Sequence, residues 1–346
     1  MQSTDKDLNT TQIDYEHRRR IQRRRRARKI KRRRQILSLS ILTIIILTLV
    51  IKLISCSNKQ VIKGYSPALM WYYTNAITEE RTQKLFYSSE EISNQVLEPI
   101  TKIKDEYLVE GSNHIKKVDK YAYDAGEICN YIEKDSNDLN KKIVFLTFDD
   151  GPNLQITPQI LETLKKENAR ATFFLVGKSI TEKHAPVMRE IITNGNSIAT
   201  HSFTHNYSLL YPGRTVNPDR VITEVQMTNE ALRKFFGDNF YSSVFRYPGG
   251  EMSWNNTKAA NDLLAKNNIN WIDWNTLTGD AQPKSDRPTT TAGQVEYVRK
   301  SLQENKSTNI AVVLSHDAIN KQLTADSLSS VIKYFRDNGY EFGILK

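Results

Sequence analysis

Asp149 and Asp150 stand side by side in Thr147-Phe148-Asp149-Asp150-Gly151-Pro152. Two adjacent carboxylates at a strand tip point in different directions, so one is free to hold a metal ion while the other takes a proton. The plainer alternative is an acidic turn, since Asp-Gly-Pro is ordinary turn chemistry. Further on, His201 and His205 are four residues apart. On a helical turn that spacing puts both imidazoles on one face, as a divalent metal needs. Taken singly, His201 is a capping residue and His205 a surface one. With Asp150 they form a two-His, one-carboxylate set that leaves a coordination position for water.

Arg246, in Phe245-Arg246-Tyr247-Pro248-Gly249-Gly250, is a guanidinium beside a tight turn, suited to orienting a carboxylate. The Tyr247 N–H is free to serve an oxyanion, because the residue lacking an N–H is Pro248. His316 closes the run Val313-Leu314-Ser315. A lone histidine there is ordinarily structural, but a carboxylate behind it, such as Asp273, would hold it protonated as a general acid. The other histidines are His17, His114 and His184, and His114 reads as an isolated surface residue.

These residues need elements to carry them. From residue 143, short β-branched or aromatic runs (143–148, 171–176, 197–200, 243–246, 269–274, 310–315, 340–345) alternate with amphipathic stretches (155–167, 181–193, 219–236, 256–266, 291–305, 324–337). Such alternation predicts a parallel sheet covered by helices, and the nearly continuous apolar strands suit burial on both faces. An open doubly wound sheet and a closed or incomplete barrel both fit. The candidate residues fall at the C-terminal ends of at least five strands, which favours a distorted (β/α) barrel within the α/β class.

The 49 Lys+Arg and 39 Asp+Glu give a net charge of +10, suggesting at first a nucleic-acid binder. Residues 1–35 hold 14 of the basic and 4 of the acidic residues, so this tail carries the whole excess and the remainder is neutral by count. No nucleic acid is expected as a partner. Residues 36–56 are predominantly apolar and uncharged apart from Lys52, and span about 31 Å as a helix, enough for one transmembrane crossing. The basic flank keeps the tail in the cytoplasm and the rest of the chain outside the cell membrane, as a signal anchor. Leu53-Ile54-Ser55-Cys56 also resembles a lipobox, the rival reading for Cys56. Residues 57–140 read as a small extracytoplasmic helical module or stalk, with Cys129 a small hydrophobe in it, and 141–346 as the catalytic domain.

The ordered motifs Thr-Phe-Asp-Asp-Gly-Pro, His-Ser-x-x-His, Arg-x-Pro-Gly, Asp-Trp and Leu-x-His resemble those of the NodB-homology polysaccharide deacetylases, carbohydrate esterase family four. The resemblance covers about 141–346. The layout of tail, span, module and domain is similar to membrane-anchored peptidoglycan N-acetylglucosamine deacetylases. It implies Asp149 as general base, Asp150, His201 and His205 as metal ligands, and Zn²⁺ (or Co²⁺) as the cation. Arg246 would position Asp149, the Tyr247 amide would help hold the oxyanion, Asp273 and Trp274 would flank the general acid His316, and Leu314 would line the acetyl pocket. Many members carry an acid where this chain has Asn270, which bears on the hydrogen bonding around His316. The implied activity is removal of N-acetyl groups from cell-wall glycan, most directly peptidoglycan. Chitin-like, exopolysaccharide or xylan substrates, and a non-catalytic glycan-binding module, are the alternatives.

Overall fold

A computed structural model describes residues 107–135 and 141–346. The tail, the apolar run 36–56 and most of the stretch expected to form a module lie outside the described residues. Among the described residues no helix is long and apolar enough to cross a membrane.

In chain order the elements are β1 (Ala122–Tyr123), α1 (Ala125–Lys134), β2 (Ile143–Asp149), α2 (Ile156–Lys166), β3 (Ala171–Leu175), α3 (Ala185–Thr193), β4 (Ser197–Thr200), α4 (Tyr207–Leu210) and α5 (Pro218–Phe236). There follow β5 (Val244–Phe245), α6 (Lys258–Lys266), β6 (Asn270–Trp271), β7 (Thr276–Leu277), α7 (Thr291–Gln303), β8 (Ile310–His316), α8 (Gln322–Asp337), β9 (Glu341–Phe342) and β10 (Ile344–Leu345). The main sheet runs β6-β5-β4-β3-β2-β8-β7, with β9 also pairing β2, and its pairings are parallel.

That order decides between a flat sheet and a barrel. β6 and β7 are opposite edges, yet only residues 272–275 join them. Seven flat strands would set those edges about 29 Å apart at 4.8 Å per strand. The connection spans at most roughly 17 Å. The sheet therefore curls into an incomplete barrel.

Strand alternation separates two cores. On β2, Val144, Leu146 and Phe148 face outward under the helices, while Ile143 and Phe145 face the barrel interior. On β8, Ala311 and Val313 face outward and Ile310 and Val312 inward. Successive residues of a strand point to opposite sides, so the next inward positions are Thr147 and Asp149 on β2, and Leu314 and His316 on β8. The same step carries inward Ala199 to His201 and inward Val244 to Arg246. Apolar residues thus fill the lower barrel, and the chemistry begins one layer above them.

The lower end is closed by α1, whose Ala125, Ile128 and Cys129 join the interior core. Residues 107–135 are accordingly part of the barrel's own packing, where the sequence had suggested a separate module ending at 140. The apolar face of α1 covers the lower end of the barrel together with Leu345 of β10, whose N–H donates to Thr172 Oγ1 of β3 at 2.9 Å. β1 pairs with β10, bringing Ala122 opposite Ile344. His114, expected at the surface, is fully buried: Nε2 contacts Asp119 at 2.9 Å and Nδ1 lies between Ser112 and Asn113. Burial lowers its pKa despite the Asp119 contact.

Candidate active site

Arg246 is the centre of the site. It is fully buried and spends all of its nitrogens at the barrel mouth. One terminal nitrogen donates to Asp149 Oδ1 (2.9 Å) and Thr147 Oγ1 (2.7 Å), the other to the Asp273 carbonyl (3.0 Å), and Nε to the Ile272 carbonyl (3.0 Å). Its plane lies over the Phe174 ring at 4.0 Å. This fixes the Asp149 carboxylate from behind. Burial raises the Asp149 pKa, while Arg246 and the neighbouring histidines oppose that rise. A buried carboxylate gripped by one guanidinium, its proton affinity raised by burial, is placed to accept a proton.

Asp150 takes a left-handed backbone (φ 79°), which turns its side chain away from that of Asp149 and toward the histidines. His205 Nε2 lies 3.2 Å and His201 Nε2 3.8 Å from Asp150 Oδ1. One ligand atom from each of the three lies within 4.8 Å of the others. His201 Nδ1 is 2.9 Å from the Arg246 carbonyl, so Nδ1 carries the hydrogen and Nε2 presents a lone pair. Burial lowers the His201 pKa to about 3, which keeps the ring neutral. Two imidazoles and a carboxylate converging through free lone pairs fit a divalent cation such as zinc. The histidines do not sit on a helical turn. Residues 201–206 form an irregular loop, with Ser202 (φ 60°) and His205 (φ 52°) both left-handed. The rings converge, 5.1 Å between centroids, because of that loop.

His316 pairs in register with Asp149 on the adjacent strand. The carboxylate behind it is Asp280, and the expected assignment of Asp273 to that place is corrected. His316 Nδ1 lies 2.8 Å from Asp280 Oδ1, and the His316 N–H donates to Asp280 Oδ2 at 2.9 Å. Burial pulls the imidazole pKa down, but the hydrogen bond and charge of Asp280, with Asp149 and Asp150, leave it raised. With Nδ1–H engaged, Nε2 is left for the substrate. Asp273 instead accepts from the Glu251 N–H (2.8 Å) and the Met252 N–H (3.4 Å), and burial raises its pKa to about 6. It shapes the loop after β5. Asn270 lies outside the His316 network and donates to Asp124 at the start of α1.

Asp280 escaped sequence reasoning because strand five was read as one run. The chain makes two short strands there, and the turn after β7 delivers the acid. Gly279 allows that turn: its φ is +74°, and a Cβ would stand 2.8 Å from Tyr297. The remaining expected residues stand at the same mouth. Leu314 is a buried inward residue below His316. Trp274 is half-buried, its ring 5.8 Å from the Arg246 guanidinium. Tyr247 is buried, its hydroxyl donating to Asn261, and its N–H has no acceptor among the described residues.

Residues 136–267 match the polysaccharide deacetylase family. The fold also matches the solved structure of a CE4 esterase from Streptococcus mutans, with 43% identity and a TM-score of 0.67 over 70% of this chain and 100% of that one. The chain belongs to the polysaccharide deacetylase family. Among curated members of the family, a peptidoglycan-N-acetylglucosamine deacetylase of Bacillus cereus is 34% identical over 47% of this chain and 54% of its own length. One from Listeria monocytogenes is 32% identical over 59% of this chain and 38% of its own length. The chain thus spans about half or less of these two relatives.

Proposed function

We propose that this chain is a metal-dependent hydrolase that removes N-acetyl groups from N-acetylglucosamine of peptidoglycan. The observation that carries the reading is the pairing of a buried, guanidinium-held carboxylate with a carboxylate-held imidazole. Asp149 and His316 stand at the same height on neighbouring strands, beside a set of three convergent ligands. The names of the Bacillus and Listeria relatives supply the substrate class.

Asp150, His201 and His205 would hold the cation, Zn²⁺ or Co²⁺. When bound it supplies Lewis-acid polarisation of the acetyl carbonyl and acidifies a water. Asp149 accepts the proton of the attacking water as its oxygen adds to the acetyl carbon. The free Tyr247 N–H donates to the oxyanion that develops. His316, protonated by virtue of Asp280, gives its Nε2 proton to the nitrogen as the C–N bond breaks. The products are acetate and a free amino sugar, and Asp149 and His316 have exchanged protonation states.

A polymeric substrate agrees with the rim. Leu154, Met252 and Ile319, and Tyr207 and Leu209 on α4, are exposed in the connections that follow β2, β5, β8 and β4, a scatter of apolar surface around the mouth. We further propose that residues 36–56 anchor the chain in the cell membrane with the catalytic domain outside, on the strength of their length and basic flank.

Acetate release from peptidoglycan, with mass spectrometry of the resulting muropeptides, tests the reading. Glucosamine lacking one acetyl group is expected, chelation abolishing the activity and Zn²⁺ or Co²⁺ restoring it. Full activity in a metal-free preparation would refute the metal role. Unaltered muropeptides alongside deacetylated chitin or xylan oligomers would redirect the substrate, and glycan binding with no acetate released from any of them would leave a binding module.

A further inference from the structure

The loop that bears His201 and His205 has no helical hydrogen bonds of its own; the His205 N–H is met within it by Ser202 Oγ at 3.0 Å, but other backbone groups must be satisfied from outside. Its carbonyls are taken by the segment after β3: the Gly177 N–H donates to Ser202 (2.9 Å), the Lys178 N–H to Phe203 (2.8 Å) and Lys178 Nζ to Thr204 (3.0 Å). Two consecutive N–H groups of the loop converge on one side chain of α5. The Phe203 and Thr204 N–H groups donate to Glu224 Oε2 at 3.0 and 2.8 Å, and Thr204 Oγ1 donates to Glu224 Oε1 at 2.7 Å. Arg220, one turn earlier, donates to the same Oε1 at 2.7 Å.

Glu224 is fully buried, an unusual place for a carboxylate unless every lone pair is occupied. Burial works to raise its pKa, but the bonds from Thr204 and Arg220 outweigh it and leave the pKa lowered, so the group is ionised. Two of its bonds are to consecutive amides lying between the two ligands, in a stretch bounded by the left-handed residues Ser202 and His205. A loop in that conformation has few ways to satisfy adjacent amides at once. A carboxylate does so with one oxygen.

We propose that Glu224 is a positioning residue for the cation: it locks the loop between His201 and His205 in the shape that brings their imidazoles onto Asp150. This rests on the reading that Asp150, His201 and His205 hold a divalent cation. Partners that orient metal ligands without touching the metal typically contribute 10–100-fold in affinity.

The test is Co²⁺ titration, by absorbance and by chelator competition, of the full chain and of Glu224→Gln and Glu224→Ala. Thermal unfolding is followed with and without Co²⁺. Weaker Co²⁺ binding by roughly 10–100-fold is expected for Glu224→Ala, and a smaller loss for Glu224→Gln, whose amide oxygen still accepts the two N–H groups. The upward shift of the unfolding midpoint on adding Co²⁺ should shrink in the same order, and saturating Co²⁺ should restore kcat with KM unchanged. If Glu224→Ala does not fold, Glu224→Gln carries the comparison alone. Variants that bind Co²⁺ as tightly as the parent, with midpoints lowered equally with and without it, would overturn the proposal by making Glu224 a purely structural residue. A parent chain that binds no Co²⁺ would overturn the cation reading itself, and the proposal with it.

Discussion

Asp280→Asn isolates the charge behind His316 while keeping the size of the side chain. The wild-type carboxylate lies 2.8 Å from Nδ1 and also accepts from the His316 N–H and from Thr324 Oγ1 at 2.8 Å. An asparagine oxygen retains one or two of those bonds but carries no charge. A hydrogen bond to a charged partner is worth about 1.5–3 kcal/mol net, and one pKa unit is about 1.4 kcal/mol. The His316 pKa should therefore fall by about 1–2 units, and burial, which already acts in that direction, is then unopposed by Asp280. The general acid works only when protonated, so the basic limb of the kcat/KM profile should move to lower pH by the same 1–2 units. At a pH above both values that is a loss of about 10–100-fold. NMR titration of His316 in both proteins, beside the pH–rate profiles, gives the two shifts independently. A basic limb that stays where it was, with His316 titrating lower, would separate His316 from proton donation and refute the mechanism.

His316→Ala should leave Co²⁺ binding nearly intact and remove most turnover, since the ligand set contains neither His316 nor its partner; loss of bound metal would count against the assignment. Arg246→Met leaves Asp149 buried without its partner, and should lower stability by about 3–5 kcal/mol in denaturant unfolding as well as abolishing acetate release. Asp317, fully buried beside Gly151, has a pKa raised to about 7 by burial, above its ordinary 3.8. Stability from that shift is complete below the unfolded value and is lost as pH rises through the folded one. Asp317→Asn cannot ionise, so relative to the parent it should gain roughly 2–3 kcal/mol of stability between about pH 5 and pH 8. Equal pH dependence of the two unfolding midpoints would contradict this.

Much of the architecture was legible because strands and helices announce themselves locally. The apolar runs of β2, β3, β4 and β8 and the helices between them stand within a few residues of where the sequence put them. The run 340–345 was less legible. It is split at Gly343, one half pairing with β2 and the other with β1, partners that only the folded chain brings near. The fate of α1 was hidden for a related reason, since an amphipathic pattern shows that a face is buried and is silent about what covers it. Within the site, Asp149, Asp150, His201 and His205 were readable from adjacency and spacing. The histidine spacing pointed to a pair whose rings the structure does bring together, but through an irregular loop and not a helical turn, a loop bonded to Glu224, 19 residues beyond His205. Asp280 was invisible for want of a recognised strand to end on.

The stitching of the two ends of the barrel segment has a mechanical consequence. The Ala125 N–H donates to the Lys346 carbonyl and the Lys346 N–H to that of Tyr123, beneath the plug formed by α1. Residues 123–125 and 346 therefore meet at the end of the barrel opposite the mouth. Tension transmitted through residue 107 first loads the bonds of Gly111, Ser112 and Asn113 to Asn239, Tyr241 and Ile198, at the starts of β4 and β5, while Asp149, Arg246 and His316 hang from the far ends of the strands. The domain can be pulled, tilted or carried on a leash without prying at its reactive opening.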